Sequence, residues 1–224
     1  MSIHSILAGQ GQVIPNPPSA SAYAGTFGPT GSGAYVNTPN SSSLTIGTTA
    51  DFTIEFWLYA TATASYRCPL CFNVGGNIVL RLDSAWTSSV LSVPFTTFAA
   101  PALNEWYHYS VSRRSGTAYV HINGTQYASA ASSYNVNLTN ARVGDYNNNT
   151  NQEWLGYLSQ LRVSNIGRYT TNFNPQIILS SDSNTLLLTL DSSTFIDNGP
   201  LNLGSLSINA GTNTPTMIST TISK

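Results

Sequence analysis

Charge is scarce in this chain. Of 224 residues only 8 are Lys or Arg and 9 are Asp or Glu, so 8% are charged and the formal net charge is −1, against about a quarter charged in ordinary soluble domains. A nucleic-acid partner, whose phosphates call for clustered Lys and Arg, is therefore excluded. The polar surface must come from Ser, Thr, Asn and Gln, and a chain with so little self-repulsion tolerates close assembly. Cysteine is nearly absent too: Cys68 and Cys71 form one C-x-x-C. Redox chemistry would need a βαβ setting and a helix N-terminus to acidify the thiol. Zinc would need two further ligands at matching spacing, and the histidines are only His4, His108 and His121. Small buried or loop thiols are expected, with or without an incidental disulfide. No apolar run approaches the ~18 to 20 residues of a spanning helix. Residues 1–13 lack a basic stretch followed by a long apolar one, so no membrane association and no secretory leader are expected, and the chain reads as made in the cytoplasm. The Asn-x-Ser/Thr triplets at Asn40, Asn123, Asn137 and Asn148 then carry no glycan. No repeat of ~20 to 50 residues is present, which removes propellers and solenoids.

What the chain has in quantity is short runs of Val, Ile, Thr and aromatics separated by Gly, Pro, Asn and Ser, the pattern of an antiparallel all-β domain. Phe52, Ile54, Phe56 and Leu58 alternate with Thr53, Glu55, Trp57 and Tyr59, so one face is wholly apolar and the other sets a carboxylate beside two amphipathic aromatics. Around Asn123-Gly124, a dipeptide suited to the positive φ angles of a type I′ turn, a hairpin is expected, with Val120 and Ile122 on one face and Tyr119 and His121 on the other. Asn184–Asp191 reads as a strand buried on both sides. The expected organisation is an extended N-terminal arm over 1–22, a β-sandwich over 23–203 and a C-terminal strand or arm over 204–224. Ile3, Ile6, Leu7, Val13 and Ile14 are more apolar than most disordered tails, which suits an arm that orders against a neighbouring subunit.

Three blocks carry a family resemblance. They are the segment from Asp51 to Tyr59, the segment from Asn104 to Arg113, and the run from Gly156 through Leu161, Arg162 and Val163 to Gly167, Arg168, Tyr169, Phe173 and Pro175. In order and spacing they resemble the laminin-G-like, concanavalin-A-like jelly-roll domain of the type found in bacteriophage virion structural proteins. The resemblance spans roughly residues 24–203. It implies an antiparallel jelly-roll β-sandwich with extended N- and C-terminal segments. It also implies that Trp57 and Trp106 pack in or against the sandwich. In its signature Arg162 and Arg168 bond carbonyls or acids, while Tyr169 and Phe173 plug the return loop. A late strand, Asn184–Asp191, is expected beside an early one near residues 33–36.

The chemistry-bearing residues are few. There is no G-x-S-x-G elbow, P-loop, H-E-x-x-H or Rossmann glycine fingerprint. Glycanases of the resembled fold place two acids about 5 to 9 Å apart, often as E-x-D-x-x-E on one strand. Asp51 with Glu55, Glu105 and Glu153 do not form that pattern, so no enzyme and no catalytic residue is expected. Laminin-G relatives often hold a calcium ion near the rim, and the oxygen-rich loop 144–151 offers Asp145 as a metal ligand, although one carboxylate is meagre for an ion that takes 6 to 8 oxygens. Trp86, Tyr146, Asn147 and Trp154 could contact a glycan through ring stacking and amide hydrogen bonds. The function expected is that of a non-enzymatic phage virion protein, foremost a capsid decoration (cement) protein and next a tail or fibre component. It would assemble as a dimer or trimer and bind the major capsid or other virion proteins, without a cofactor. The competing expectation is a lectin-like adhesion module that binds surface glycans, with or without calcium.

Overall fold

A computed structural model describes residues 19–29, 31–62, 67–72, 77–82, 86–87, 102–146 and 152–223. Among these the chain forms one 3-10 turn (Ser42–Leu44), no α-helix, and the strands β1 (Ser19–Phe27), β2 (Tyr35–Asn37), β3 (Thr45–Gly47), β4 (Phe52–Ala60), β5 (Arg67–Phe72), β6 (Asn77–Leu82), β7 (Trp86–Thr87), β8 (Trp106–Arg114), β9 (Thr117–Ile122), β10 (Thr125–Ala131), β11 (Val136–Asn137), β12 (Arg142–Val143), β13 (Gly156–Ser164), β14 (Thr185–Thr189), β15 (Ser207–Asn209) and β16 (Thr216–Ser223). The large sheet runs β10-β9-β8-β4-β13-β1-β16, with β14 also paired to β13, and the second sheet runs β15-β2-β12-β5-β6-β7. All pairings are antiparallel, and the two sheets form a jelly-roll sandwich.

Period-two alternation builds the core. On the inner face of the large sheet Val120, Val111, Ile54, Val163 and Leu187 lie in register across five strands, and all are buried. On the second sheet Val36, Val143 and Leu70 form a matching row and join the same hydrophobic cluster. β-branched and Leu side chains fit a pleated surface buried on that face. Truncating one of them, as in Ile54→Ala, costs about 2 to 5 kcal/mol.

β13 departs from simple alternation. Its register with β4 passes from Ser159↔Trp57 to Arg162↔Glu55, so one extra residue is inserted, and Gln160 sits there with φ 55°. This bulge lets Leu158, Leu161 and Val163 all reach the core while Arg162 faces Glu55. It also marks a change of neighbour: β1 pairs with β13 at residues 156–158, and β14 takes over at residues 161–164. Freed from β13, the β1–β16 ribbon packs Ala24 and Ile222 against Trp57 and Trp106.

One expectation changes. The strand beside Tyr35–Asn37 is β15, not the leucine run; β14 pairs with β13 because it continues the edge that β1 vacates. The arm residues Ile3, Ile6, Leu7, Val13 and Ile14 lie outside the described residues.

Candidate functional site

The outer face of the large sheet carries the polar and aromatic residues that alternate with the core, and it divides into two halves. The first half is covered by the return segment that leaves β13. Glu55 is fully buried there. Its Oε1 accepts from Arg162 Nε (2.8 Å) and Nη2 (2.7 Å). Its Oε2 accepts from the Tyr169 hydroxyl (2.9 Å) and lies 3.2 Å from His108 Nε2. Burial pushes this carboxyl up, but the His108 hydrogen bond and the charges of His108 and Arg162 outweigh it and hold Glu55 below the usual carboxylate range. Tyr169 is pushed up by burial and by Glu55, so it stays a donor.

Arg162 also donates to the Ser180 carbonyl (2.6 Å). Arg168 bonds Ser164 through Nε (2.8 Å) and grips Asp182 with both Nη atoms (2.8 and 2.7 Å). Trp57 Nε1 donates to the Gln176 carbonyl (3.1 Å). Phe173 stacks on Tyr169 at 3.6 Å and meets His121 edge-on at 5.2 Å. Burial pushes His121 down to about 4, with repulsion from His108 in the same direction and a backbone bond at Thr171 opposing it. The strap is seated on the Asn123-Gly124 turn, where the Phe173 amide donates to the Gly124 carbonyl (2.9 Å). Gly124 has φ 75°, and a Cβ there would lie 1.8 Å from the Phe173 oxygen, so only glycine serves. Every acceptor position around Glu55 is taken by a group that holds the strap. The arrangement is a buried fastening with no site left for a reacting atom.

The second half is open. Trp106, Tyr59 and Tyr157 are directly opposed on β8, β4 and β13. Tyr59 lies 5.4 Å from each of the other two ring centroids, with tilts of 59° and 52°, and Trp106 and Tyr157 are 6.5 Å apart, so the three pack as a cluster in which Trp106 is buried and the tyrosines are half-buried. These rings line a groove of about 650 Å³, with Asn104, Glu105 and Asn123 at one end and Ile218, Thr220, Thr221 and Ser223 of β16 along the other wall. Asn123 is oriented by the His108 amide, which donates to its Oδ1 (2.9 Å). Glu105 accepts from the Tyr107 hydroxyl (3.2 Å), which in turn accepts from the Ala102 amide (3.1 Å). Rings with apolar faces, flanked by amide, hydroxyl and carboxylate groups, suit a ligand that is itself part apolar and part hydroxylated.

The residues singled out in the sequence fall elsewhere. Trp154 is fully buried in the main core and donates from Nε1 to the Tyr157 carbonyl (3.2 Å), so it offers no ring to a glycan. Tyr146 is half-buried and packs against Cys68 and Cys71, which are buried and not bonded to each other. Asn147 and the Trp86 side chain lie outside the described residues. Asp145 is fully buried with Oδ2 3.4 Å from Arg142 Nη1. Among the described residues no group of three or more His, Cys, Asp or Glu converges, so the described part of this loop does not fit the multi-oxygen shell of Ca²⁺. Glu153 caps the 31–33 turn, accepting from the Gly31 (3.2 Å) and Gly33 (2.7 Å) amides.

The family model of the concanavalin A-like lectin/glucanases superfamily matches residues 30–171. The chain belongs to that superfamily. No curated protein matches it in sequence. Among solved structures it is similar to a Bacteroides ovatus protein to which carbohydrate binding is ascribed, with 14% identity, TM-score 0.63, 90% of this chain covered and 60% of the other. It is also similar to the heptameric SAP-like pentraxin of Limulus polyphemus, with 13% identity, TM-score 0.50, and 89% and 94% covered. At such identities the superfamily likeness to these structures is one of fold.

Proposed function

We propose that this superfamily member is a non-enzymatic carbohydrate-recognition module that binds glycan in the groove on the open half of the large sheet, without calcium. The observation that carries the reading is the pair of half-buried rings Tyr59 and Tyr157, backed by buried Trp106 and set in a groove beside Asn104, Glu105, Asn123 and Thr220. Sugar rings have apolar C–H faces and polar edges, and aromatic rings with neighbouring hydrogen-bonding groups match both. The non-enzymatic reading is supported by Glu55: its oxygens are saturated by Arg162, His108 and Tyr169 under the strap, and a glycosidase needs two carboxyls reachable by one substrate bond. Affinity electrophoresis through gels containing single polysaccharides, with and without EDTA, tests this. Retardation by at least one polysaccharide that EDTA leaves unchanged is expected. Retardation that EDTA abolishes would overturn the calcium-free reading, and release of reducing ends would overturn the non-enzymatic one.

A second reading, decoration of a phage capsid, is favoured by the edges of the large sheet. β10 is blunted by a register shift at Gln126/Ala128 and by Asn172, whose Oδ1 accepts the Gln126 amide (2.8 Å). β16 pairs with β1 through eight consecutive residues without a bulge and contains neither charge nor proline. Among the described residues nothing pairs with its outer side, and an edge of this kind accepts a further strand, from a second copy or from a shell protein. Quantitative mass spectrometry of purified particles tests it: copy numbers near those of the shell protein are expected, and absence from particles would discard it. Placing a charge on that edge with Ser219→Lys should weaken particle binding, and wild-type binding by that variant would remove the edge from the reading.

A further inference from the structure

We propose that the groove selects uncharged oligosaccharides and turns away acidic ones; this rests on the carbohydrate-recognition reading. Two features lead there. The aromatic row runs perpendicular to the strands, because Trp106, Tyr59 and Tyr157 are cross-strand neighbours on β8, β4 and β13. Tyr59 lies 5.4 Å from each of the other two rings, which are 6.5 Å from each other, so the three form one compact aromatic cluster in the groove. A groove of about 650 Å³ lies within the roughly 300 to 1,000 Å³ range of small-ligand sites and suits a short oligosaccharide better than one sugar.

The second feature is charge. Among the described residues lining the groove, Glu105 alone is charged, and none is Lys or Arg. A uronate or sialate carboxylate entering here would lose water without gaining a cation, and it would meet a like charge held at the mouth by Tyr107. A neutral sugar instead offers hydroxyl donors to Glu105 and both donors and acceptors to Asn104, Asn123 and Thr220. Rejection therefore comes from the groove itself, while the aromatic row supplies attraction common to both kinds of sugar.

The test is affinity electrophoresis with neutral polymers (xylan, mannan, mixed-linkage β-glucan, starch) and acidic ones (polygalacturonate, hyaluronan), at low and moderate salt. The wild-type chain should be retarded by at least one neutral polymer and by neither acidic one. Glu105→Lys should raise affinity for an acidic polymer by at least about tenfold while changing neutral binding by less than about threefold. Thr220→Arg, which fills the groove from the β16 wall, should abolish neutral binding with the melting temperature unchanged. Tyr157→Ala is the second variant if Thr220→Arg melts early. Wild-type binding of acidic polymers as tight as that of neutral ones would overturn the selectivity and leave the carbohydrate reading standing. Neutral binding that survives both Thr220→Arg and Tyr157→Ala would overturn the groove as the site. Binding of no polymer would overturn the carbohydrate reading itself.

Discussion

The two halves of one sheet face use the same residue types for opposite ends. Under the strap, Glu55, His108 and Arg162 are buried, and Glu55 is bonded to both of the others and to half-buried Tyr169. In the groove, Glu105, Asn104 and Thr220 line open space beside half-buried Tyr59 and Tyr157. Burial makes the difference. A polar group taken out of water must be satisfied inside the protein and is then unavailable to a ligand, whereas one left at a groove keeps its capacity for exchange. The strap half is therefore fold, and the groove half is where recognition can take place.

Breaking the strap half should have the largest effect. Glu55→Gln leaves the Arg162 guanidinium buried without its counter-charge, and a loss of about 3 to 5 kcal/mol in urea unfolding is expected. The pH dependence comes next. His121 titrates near 4 folded, against 6.5 for the free side chain, so between those values the unfolded chain binds the extra proton. Stability is full above pH 6.5 and falls as pH drops towards 4, by up to about 3 kcal/mol. Glu55 adds to this below the ordinary carboxylate range, because its lowered pKa gives stability that is lost as the folded group protonates. Urea midpoints from pH 7 to 4 measure the loss, and His121→Phe should flatten the slope above pH 4.5. Phe173→Ala removes the ring that stacks on Tyr169 and covers His121; about 2 kcal/mol of stability should go, with glycan affinity unchanged. The smallest change in free energy belongs to the groove: Tyr157→Ala should weaken glycan binding by about tenfold, near 1.4 kcal/mol, while destabilising the fold less than Phe173→Ala does. If Phe173→Ala weakened glycan binding as much as Tyr157→Ala, the division into two halves would fail.

Much of the frame was legible because it depends on neighbours in sequence. Alternation along Phe52–Ala60 separated the core face from the face of Glu55, Trp57 and Tyr59, and Asn123-Gly124 marked its hairpin. The pairing of β14 was misplaced because it follows from the bulge at Gln160, whose effect is to exchange β13's neighbour. A trace of that bulge was present, since Leu158, Leu161 and Val163 share the core although a regular strand would put Leu158 and Leu161 on opposite faces. The candidate glycan contacts were the less readable part. Trp154 followed an oxygen-rich loop and looked like a rim residue, yet its ring fills the core. Tyr59 and Tyr157 drew no notice as ligands because neither lies in a polar loop.

By itself the sequence determined the all-β class, the core face of each long strand, the scarcity of charge, and membership of the superfamily, all of which depend on local period and composition. Only the tertiary structure decided which polar residues are fastened and which are exposed. Glu55 meets Arg162 across 107 residues of chain, and Trp106, Tyr59 and Tyr157 become one row through strand register alone. Register and the course of the strap are set by packing between distant segments, and no local pattern encodes which segment will cover which half of a sheet.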